Sequence, residues 1–118
     1  MLNELAKQIH ANAVEKGFYD KPLEFGTHMM LAVRELGEAM DAHQHAKHAA
    51  KFHPCMLRAD NFTQLFEQGV KNSVEDELVD ALQIILGKMH DMGIDIDFYL
   101  AAKMQYNKTR PYRHGKQY

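Results

Sequence analysis

Apolar residues recur along most of the chain every three to four positions, which is the period of an α-helix. In residues 2–16 they are Leu2, Leu5, Ile9 and Ala13. This pattern stops before Gly17, as expected of a helix with a C-terminal glycine. No segment shows the alternation of apolar and polar residues that is typical of a strand, and only three prolines interrupt the chain. The sequence therefore predicts an all-α protein.

A second, long helix is expected from an N-cap at Thr27 to about Lys51. Its predicted apolar stripe consists of Met29, Val33, Leu36 and Met40. A short connecting helix is predicted over residues 60–68, ending at Gly69.

Ser73 and Asp76 resemble a capping box, which opens a strongly apolar helix that closes at Gly93. The last helix begins near Asp95 or Asp97 and ends before Pro111. Four main helices and a short connecting helix predict an antiparallel helical bundle. Because apolar residues lie on several sides of these helices, the bundle is expected to be completed by oligomerisation.

Composition narrows the location and the partners. Fourteen Lys and Arg against sixteen Asp and Glu give a formal charge of -2, which favours neither nucleic acid nor anionic lipid as a partner. A lone cysteine, Cys55, rules out an intramolecular disulfide, and no apolar stretch approaches the ~20 residues of a membrane span. The first residues are charged throughout, unlike a signal peptide. We therefore expect a cytoplasmic protein with one domain over residues 1–118, of which residues 111–118 form a flexible basic tail.

Two segments carry the same pattern of acidic and apolar residues. Residues 35–40 are ELGEAM and residues 77–82 are ELVDAL, so each contains two acids three positions apart. Positions i and i+3 lie on one face of a helix. Each helix is therefore expected to present two carboxylates in one direction, and the four acids are Glu35, Glu38, Glu77 and Asp80.

The helix that carries the second motif is apolar around most of its circumference. Between Leu78 and Leu86 only Asp80 and Gln83 are polar, so Asp80 is expected to face protein. Four carboxylates brought together out of water lose hydration and repel one another, and a bound dication offsets both costs. Oxygen ligands favour Mg²⁺ or Mn²⁺. Either motif alone is typical of a solvated face, whereas the matched pair predicts a metal site.

A third element is the segment KMQYNKTRPYRHGKQY, residues 103–118. On a helix, Lys103, Asn107 and Arg110 fall at i, i+4 and i+7, which is one face. Arg113 and further basic residues follow Pro111 in an extended segment. The strip suits a polyphosphate, although composition alone is equally consistent with a frayed basic end.

Three segments together resemble the MazG-like nucleotide pyrophosphohydrolases of the all-α NTP pyrophosphatase superfamily. They are LAVRELGEAMDA, EDELVDALQIILGKMHDMGIDID and AKMQYNKTRPYRHGKQY, and they cover roughly half of the chain in the family's order. The last looks like the family's ending of Lys, Asn, Arg-Pro and His-Gly. The resemblance implies a helical bundle that forms a homodimer or homotetramer and cleaves (d)NTP to (d)NMP and pyrophosphate with Mg²⁺.

The resemblance also implies roles for single residues. The metal ligands would be Glu35, Glu38, Glu77 and Asp80. Lys103 and Asn107 would contact the phosphates or complete the metal shell, and Arg110, together with Tyr106 and Arg113, would hold the triphosphate. A metal-activated water would attack the α-phosphorus with one of the four acids as the base, and which acid this is stays open.

The stretch from His43 to Asn72 has no counterpart in the family's pattern, which leaves base recognition open. Phe18, Tyr19 and His28 precede the first acidic motif, so their position alone would let them reach the nucleoside. An aromatic residue near the start of a helix is, however, more often part of the core.

The sequence leaves three other hypotheses open. A zinc site is suggested by His43, His45, His48, His53 and Cys55. Only His45 and His48 have a favourable helical spacing for it. A di-iron carboxylate site would add a Glu-x-x-His motif, which neither acidic pair contains. A non-enzymatic helical module, which binds metal or assembles through Met-rich faces, is the third. Mg²⁺-dependent release of pyrophosphate distinguishes the hydrolase from all three.

Overall fold

The structure is a computed structural model that describes residues 1–115, and these residues form helices and connections without a strand. The α-helices are α1 (Leu2–Glu15), α2 (Phe25–Gln44), α3 (Phe62–Gly69), α4 (Val74–Asp91) and α5 (Ile96–Lys108). Two short 3₁₀ helices span Pro54–Arg58 and Tyr112–Gly115. The predicted all-α class is confirmed. None of the helices in the described part combines the length and the apolarity needed to cross a membrane.

The chain forms two compact units. The first contains Met1–Lys21 and the chain from Leu86 onward, and the second contains Pro22–Ile85. A single domain over residues 1–118 stays a prediction. The predicted basic tail, residues 111–118, includes the 3₁₀ helix Tyr112–Gly115, and its last three residues, 116–118, lie outside the described residues.

In the first unit, α1 packs on α5, and the two helices cap each other. The carboxylate of Asp97 accepts hydrogen bonds from the backbone N–H groups of Leu2 and Asn3 at 2.7 and 3.3 Å. In return, Oδ1 of Asn3 accepts the backbone N–H of Ile96 at 2.7 Å. The core of this unit is formed by Ala6, Leu86 and Ile96, with Leu2, Ile9, Met89 and Ile94 packed against it.

Helices α1 and α4 end at glycines, as predicted. Gly17 and Gly93 have φ of +87° and +71°, the left-handed region that favours glycine. After each glycine, Phe18 and Ile94 donate their N–H to the carbonyl five positions earlier, at 3.0 Å. This is a Schellman turn, which satisfies carbonyls at the end of the helix.

The predicted bounds of α2 are wrong at both ends. The helix begins at Phe25, so Thr27 lies inside it, and it ends at Gln44 instead of near Lys51. Ala46 has a φ of +53°, and Lys47 donates its N–H to the carbonyl of Ala42 at 2.9 Å. The helix therefore ends in a Schellman turn in which alanine occupies the usual position of glycine, and no glycine marks this end in the sequence.

The predicted apolar stripe of α2 is not the face that the chain buries. Val33, Leu36 and Met40 are exposed, and Met29 is half-buried. The buried residues of α2 are His28, Ala32, Ala39 and Ala42. Both sets have the helical period, but the buried set is turned by roughly 100° around the helix, the rotation of one residue. Glu35 falls in the middle of the buried set.

The same rotation is found in α4. Leu78, Val79 and Leu82 are each about half exposed, whereas Glu77 and Ala81 are buried. Alanines and an acid thus occupy the buried faces of both helices, and larger apolar side chains remain in contact with solvent. This rotation places the acidic motifs where they meet.

Candidate metal centre

Within the second unit, α2 and α4 bring three of the four predicted acids together. Glu35 comes from α2, and Glu77 and Asp80 come from α4. One carboxylate oxygen of each lies within 4.8 Å of the other two. Glu38 is exposed and helps to raise the pKa of Glu77, but it is not one of these three gathered acids. We call the set Glu35, Glu77 and Asp80 the acidic cluster.

The start of α4 determines which of its acids is left for the cluster. Glu75, Asp76 and Glu77 follow one another in the first turn. Ser73 caps the helix as predicted, because its Oγ accepts the N–H of Asp76 at 3.1 Å. The Asp76 carboxylate accepts the N–H of Asn72 at 2.8 Å, so the predicted capping box is formed one residue off.

Glu75 bonds the chain that follows α2. Its carboxylate accepts the backbone N–H of Ala49 at 2.8 Å and lies 3.1 Å from Nδ1 of His48. These hydrogen bonds, that of Ala49 first, lower the pKa of Glu75 to about 2. Two of the three consecutive acids therefore serve as structural acceptors, and Glu77 belongs to the cluster.

Glu77 is the acid with the most perturbed environment. Only 5% of the residue is exposed, and its Oε2 accepts no hydrogen bond from any residue in the described part. Burial, followed by hydrogen bonding with Glu35 and Glu38, raises the pKa of Glu77 to about 8. With no cation present, the favourable state at neutral pH is therefore a protonated carboxyl that donates to its neighbours.

Asp80 has a pKa raised in the same direction, by burial first and then by the charges of Asp76 and Glu35. One cation reaches the cluster from the solvent side, since Nη2 of Arg34 lies 3.4 Å from Oε1 of Glu35. The Arg34 side chain is 64% exposed, so water screens this ion pair. The cluster therefore keeps an excess of negative charge once its acids ionise.

The acidic cluster fits a small divalent cation. Mg²⁺ takes oxygen ligands at about 2.0–2.1 Å in an octahedron, which places neighbouring ligands about 3 Å apart and opposite ligands about 4 Å apart. The three oxygens lie within 4.8 Å of one another, so they must move closer together to reach these spacings. The buried Oε2 of Glu77, which lacks a donor among the described residues, gains a partner when a cation is bound.

The predicted phosphate-binding strip lies on α5 and on the residues that follow it, in the first unit. Nζ of Lys103 and Cζ of Arg110 lie 5.3 and 5.6 Å from the ring centroid of Tyr106, so both cations contact one aromatic ring. Oδ1 of Asn107 is buried and accepts no hydrogen bond within the described chain. Arg113 lies over the neighbouring ring of Tyr112, at 5.6 Å. The strip belongs to the first unit and the acidic cluster belongs to the second.

The residues proposed for the nucleoside differ in their exposure. His28 is buried on α2, two turns before Glu35 on the same face. Phe18 is exposed, and Tyr19 is half-buried with its ring 4.6 Å from that of His10. Contact of these residues with a nucleoside stays a prediction.

The histidine-rich segment does not gather a metal set among the described residues. His48 lies against Glu75, and Nδ1 of His45 lies 2.9 Å from the backbone oxygen of Asp41. His53 accepts the N–H of Cys55 at 3.2 Å. The predicted pair, His45 and His48, therefore bonds to two different parts of the chain. In the described part, the acidic cluster is the group whose donor atoms are already gathered.

Comparisons of the chain with protein-family models, with curated proteins and with solved structures gave no match. The resemblance to MazG-like proteins thus depends on the three quoted segments alone.

Proposed function

We propose that the protein is a Mg²⁺-dependent nucleoside triphosphate pyrophosphohydrolase, which cleaves (d)NTP to (d)NMP and pyrophosphate. One observation carries the proposal: the acidic cluster contains a carboxyl group, that of Glu77, which is nine-tenths buried and has an oxygen without a donor among the described residues. Such an arrangement costs stability unless a cation joins it. A protein that retains this cost has a use for the cation.

Each residue has a distinct task in this proposal. Glu35, Glu77 and Asp80 hold Mg²⁺, or Mn²⁺ in its place. When bound, the ion supplies positive charge to the phosphoryl oxygens and activates water for attack on the α-phosphorus. Glu38 is exposed and near enough to Glu77 to raise its pKa, so we assign Glu38 as the carboxylate that accepts the proton of the attacking water.

The cationic strip of α5 supplies the contacts to the triphosphate. Lys103 and Arg110 meet the negative charge that develops on the phosphoryl oxygens, and both side chains contact the ring of Tyr106. Asn107 contacts the phosphates or completes the metal shell. We assign Arg113 to the triphosphate end of the substrate and His28 to the nucleoside end.

The proposal includes an antiparallel bundle that is completed by a second copy, as a homodimer or homotetramer, in the cytoplasm. Exposed apolar side chains on both acidic helices support it, among them Leu36 and Met40 on α2 and Leu82 on α4. Fully burying one such side chain stabilises an assembly by about 1.5–3 kcal/mol. The same exposed residues favour the second candidate, a non-enzymatic metal-binding or assembly module.

A panel of common and modified nucleoside triphosphates, incubated with Mg²⁺ and scored for pyrophosphate against single phosphate, tests the proposal. We expect pyrophosphate, and Asp80→Asn or Glu38→Gln should reduce kcat at least about 100-fold with an unchanged helical circular dichroism spectrum. Glu67→Gln, at an exposed position of α3, is the matched control and should keep full activity. Release of single phosphate, or full activity of Asp80→Asn, would contradict the mechanism. Absence of any turnover together with self-association would favour the module.

A further inference from the structure

A second group of titratable side chains lies in the first unit, where α1 approaches the end of α4. Nε2 of His10 lies 3.3 Å from Oδ1 of Asp91, and the rings of His10 and His90 have centroids 5.0 Å apart. Nζ of Lys88 donates to the other oxygen of Asp91, Oδ2, at 3.0 Å. Neither the acidic cluster nor the strip on α5 includes any of these residues.

Two of the three spacings among these potential ligands match those around a tetrahedral ion. With metal–ligand bonds of about 2.0–2.2 Å, two donor atoms on one Zn²⁺ lie about 3.3 Å apart, and two imidazole centroids lie about 5 Å apart. His10 and Asp91 already have the first spacing, and His10 and His90 have the second. The donor atoms of all three are not yet as closely gathered as those of the acidic cluster.

The surroundings orient two of the three groups. Lys88 is buried and holds Oδ2 of Asp91, which leaves Oδ1 directed at His10. The ring of Tyr19 packs against His10, with the ring centroids 4.6 Å apart. Metal-bound carboxylates and imidazoles in proteins are held by outer contacts of this kind.

His90 gives the group of His10, His90 and Asp91 access to solvent. It lines an open depression of about 340 Å³, together with residues of the α1 and α5 starts such as Lys7 and Asp95. Binding of one ion by all three groups requires the half-buried His90 ring to turn toward Asp91, and ring rotation is a fast side-chain motion. The depression gives such a site access to solvent.

We propose that His10, His90 and Asp91 form a second metal site, which binds a transition-metal dication of the Zn²⁺ type. Two imidazole nitrogens and one carboxylate oxygen select Zn²⁺, Co²⁺, Ni²⁺ or Cu²⁺ over Mg²⁺, whereas the acidic cluster offers oxygen alone. The two sites therefore hold different metals, and this site does not depend on the proposed hydrolytic activity.

Titration of the full chain with Co²⁺, in a large excess of Mg²⁺ to occupy oxygen-only sites, tests the proposal. We expect one Co²⁺ per chain with the visible absorption of a four- or five-coordinate ion. His10→Gln, His90→Gln and Asp91→Asn should each weaken binding at least tenfold, and added Zn²⁺ should displace the Co²⁺. Control variants are His45→Gln and His48→Gln, in the histidine-rich segment, which should bind Co²⁺ as the unchanged protein does.

A measurement on the unchanged protein keeps the test independent of variant folding. In NMR spectra, substoichiometric Co²⁺ should broaden or shift the ring resonances of His10 and His90 before those of His45 and His53. Absence of Co²⁺ binding, unchanged affinity of both His10→Gln and His90→Gln, or first effects on the histidine-rich segment would each overturn the assignment.

Discussion

Replacing Glu77 by Gln should stabilise the metal-free protein at alkaline pH and leave it unchanged near pH 4.5. Burial and the neighbouring acids raise the pKa of Glu77 from 4.5 to about 8 in the folded state. Between these values the folded protein holds a proton that the unfolded chain releases, so the free energy of unfolding falls as the pH rises and levels off above about 8.

The size of this effect follows from the interval between the two pKa values. At about 1.4 kcal/mol for each pH unit, the interval from 4.5 to about 8 corresponds to about 5 kcal/mol. Total stabilities of single domains are about 5–15 kcal/mol, so the effect is large. Gln is neutral at every pH and keeps a donor toward Glu35 and Glu38, so Glu77→Gln removes the loss.

Urea unfolding followed by circular dichroism, after treatment with a chelator and at pH values from 4.5 to 9, measures the difference. Mg²⁺ should restore the stability of the unchanged protein at pH 8 and should have little effect on Glu77→Gln. Glu67→Gln serves as the exposed control. Parallel curves of stability against pH for the unchanged protein and Glu77→Gln would refute the reasoning.

Three further predictions concern the caps, the helices and the strip on α5. Hydrogen bonds from the amino group of Met1 and the N–H of Leu2 lower the pKa of Asp97 below 3.8. Asp97→Asn should therefore lower Tm at pH 7. The difference in Tm from the unchanged protein should shrink as the pH falls through and below 3.8. Gly69→Ala would place a Cβ against the Phe52 ring and should cost about 1–3 kcal/mol in urea unfolding, whereas Gly37→Ala in α2 meets open space and should stabilise by about 0.5–1 kcal/mol. Lys103→Ala should lower kcat/KM for the triphosphate about tenfold without changing Mg²⁺ affinity in calorimetry, and unchanged kinetics would exclude its phosphate role.

The sequence predicted the helices well wherever a local signal marks their ends. Gly17 and Gly93 close α1 and α4, and Asp95 caps α5 by accepting the N–H of Phe98 at 3.1 Å. The end of α2 was missed because Ala46 adopts a left-handed conformation, which alanine in a sequence does not indicate. Tertiary contacts, such as the N–H of Val74 donating to the carbonyl of Lys47 at 2.9 Å, hold the chain there.

The orientation of the helices was harder to predict than their position. Hydrophobicity directs the buried face of α2 toward Leu36 and Met40, but alanines and Glu35 occupy it. A hydrophobicity scale that is based on transfer from water ranks alanine below leucine. Such a scale cannot recognise a buried face that consists of small side chains and an acid. The ExxE spacing was the better guide, because it follows geometry.

The acidic cluster was therefore predictable as a pair of motifs, though not in its membership. Three of the four acids gather, and Glu38 is not among them, although Glu77 and Asp80 have the same spacing and both belong to the cluster. His10 and Asp91 were not singled out, since they are 81 positions apart and no local pattern links them. Only the fold brings such residues together.

The mutual caps of α1 and α5 make two distant parts of the chain depend on each other. Leu2 and Asp97 are 95 positions apart, so the start of α1 obtains its acceptor only after a long loop has closed. The N–H groups of Leu2, Asn3 and Ile96 obtain their acceptors from the other helix, so both helix starts should fray in an isolated fragment. In native-state hydrogen exchange, the amides of Asn3 and Ile96 should therefore exchange through one shared opening event, with equal free energies, as a single cooperative unit.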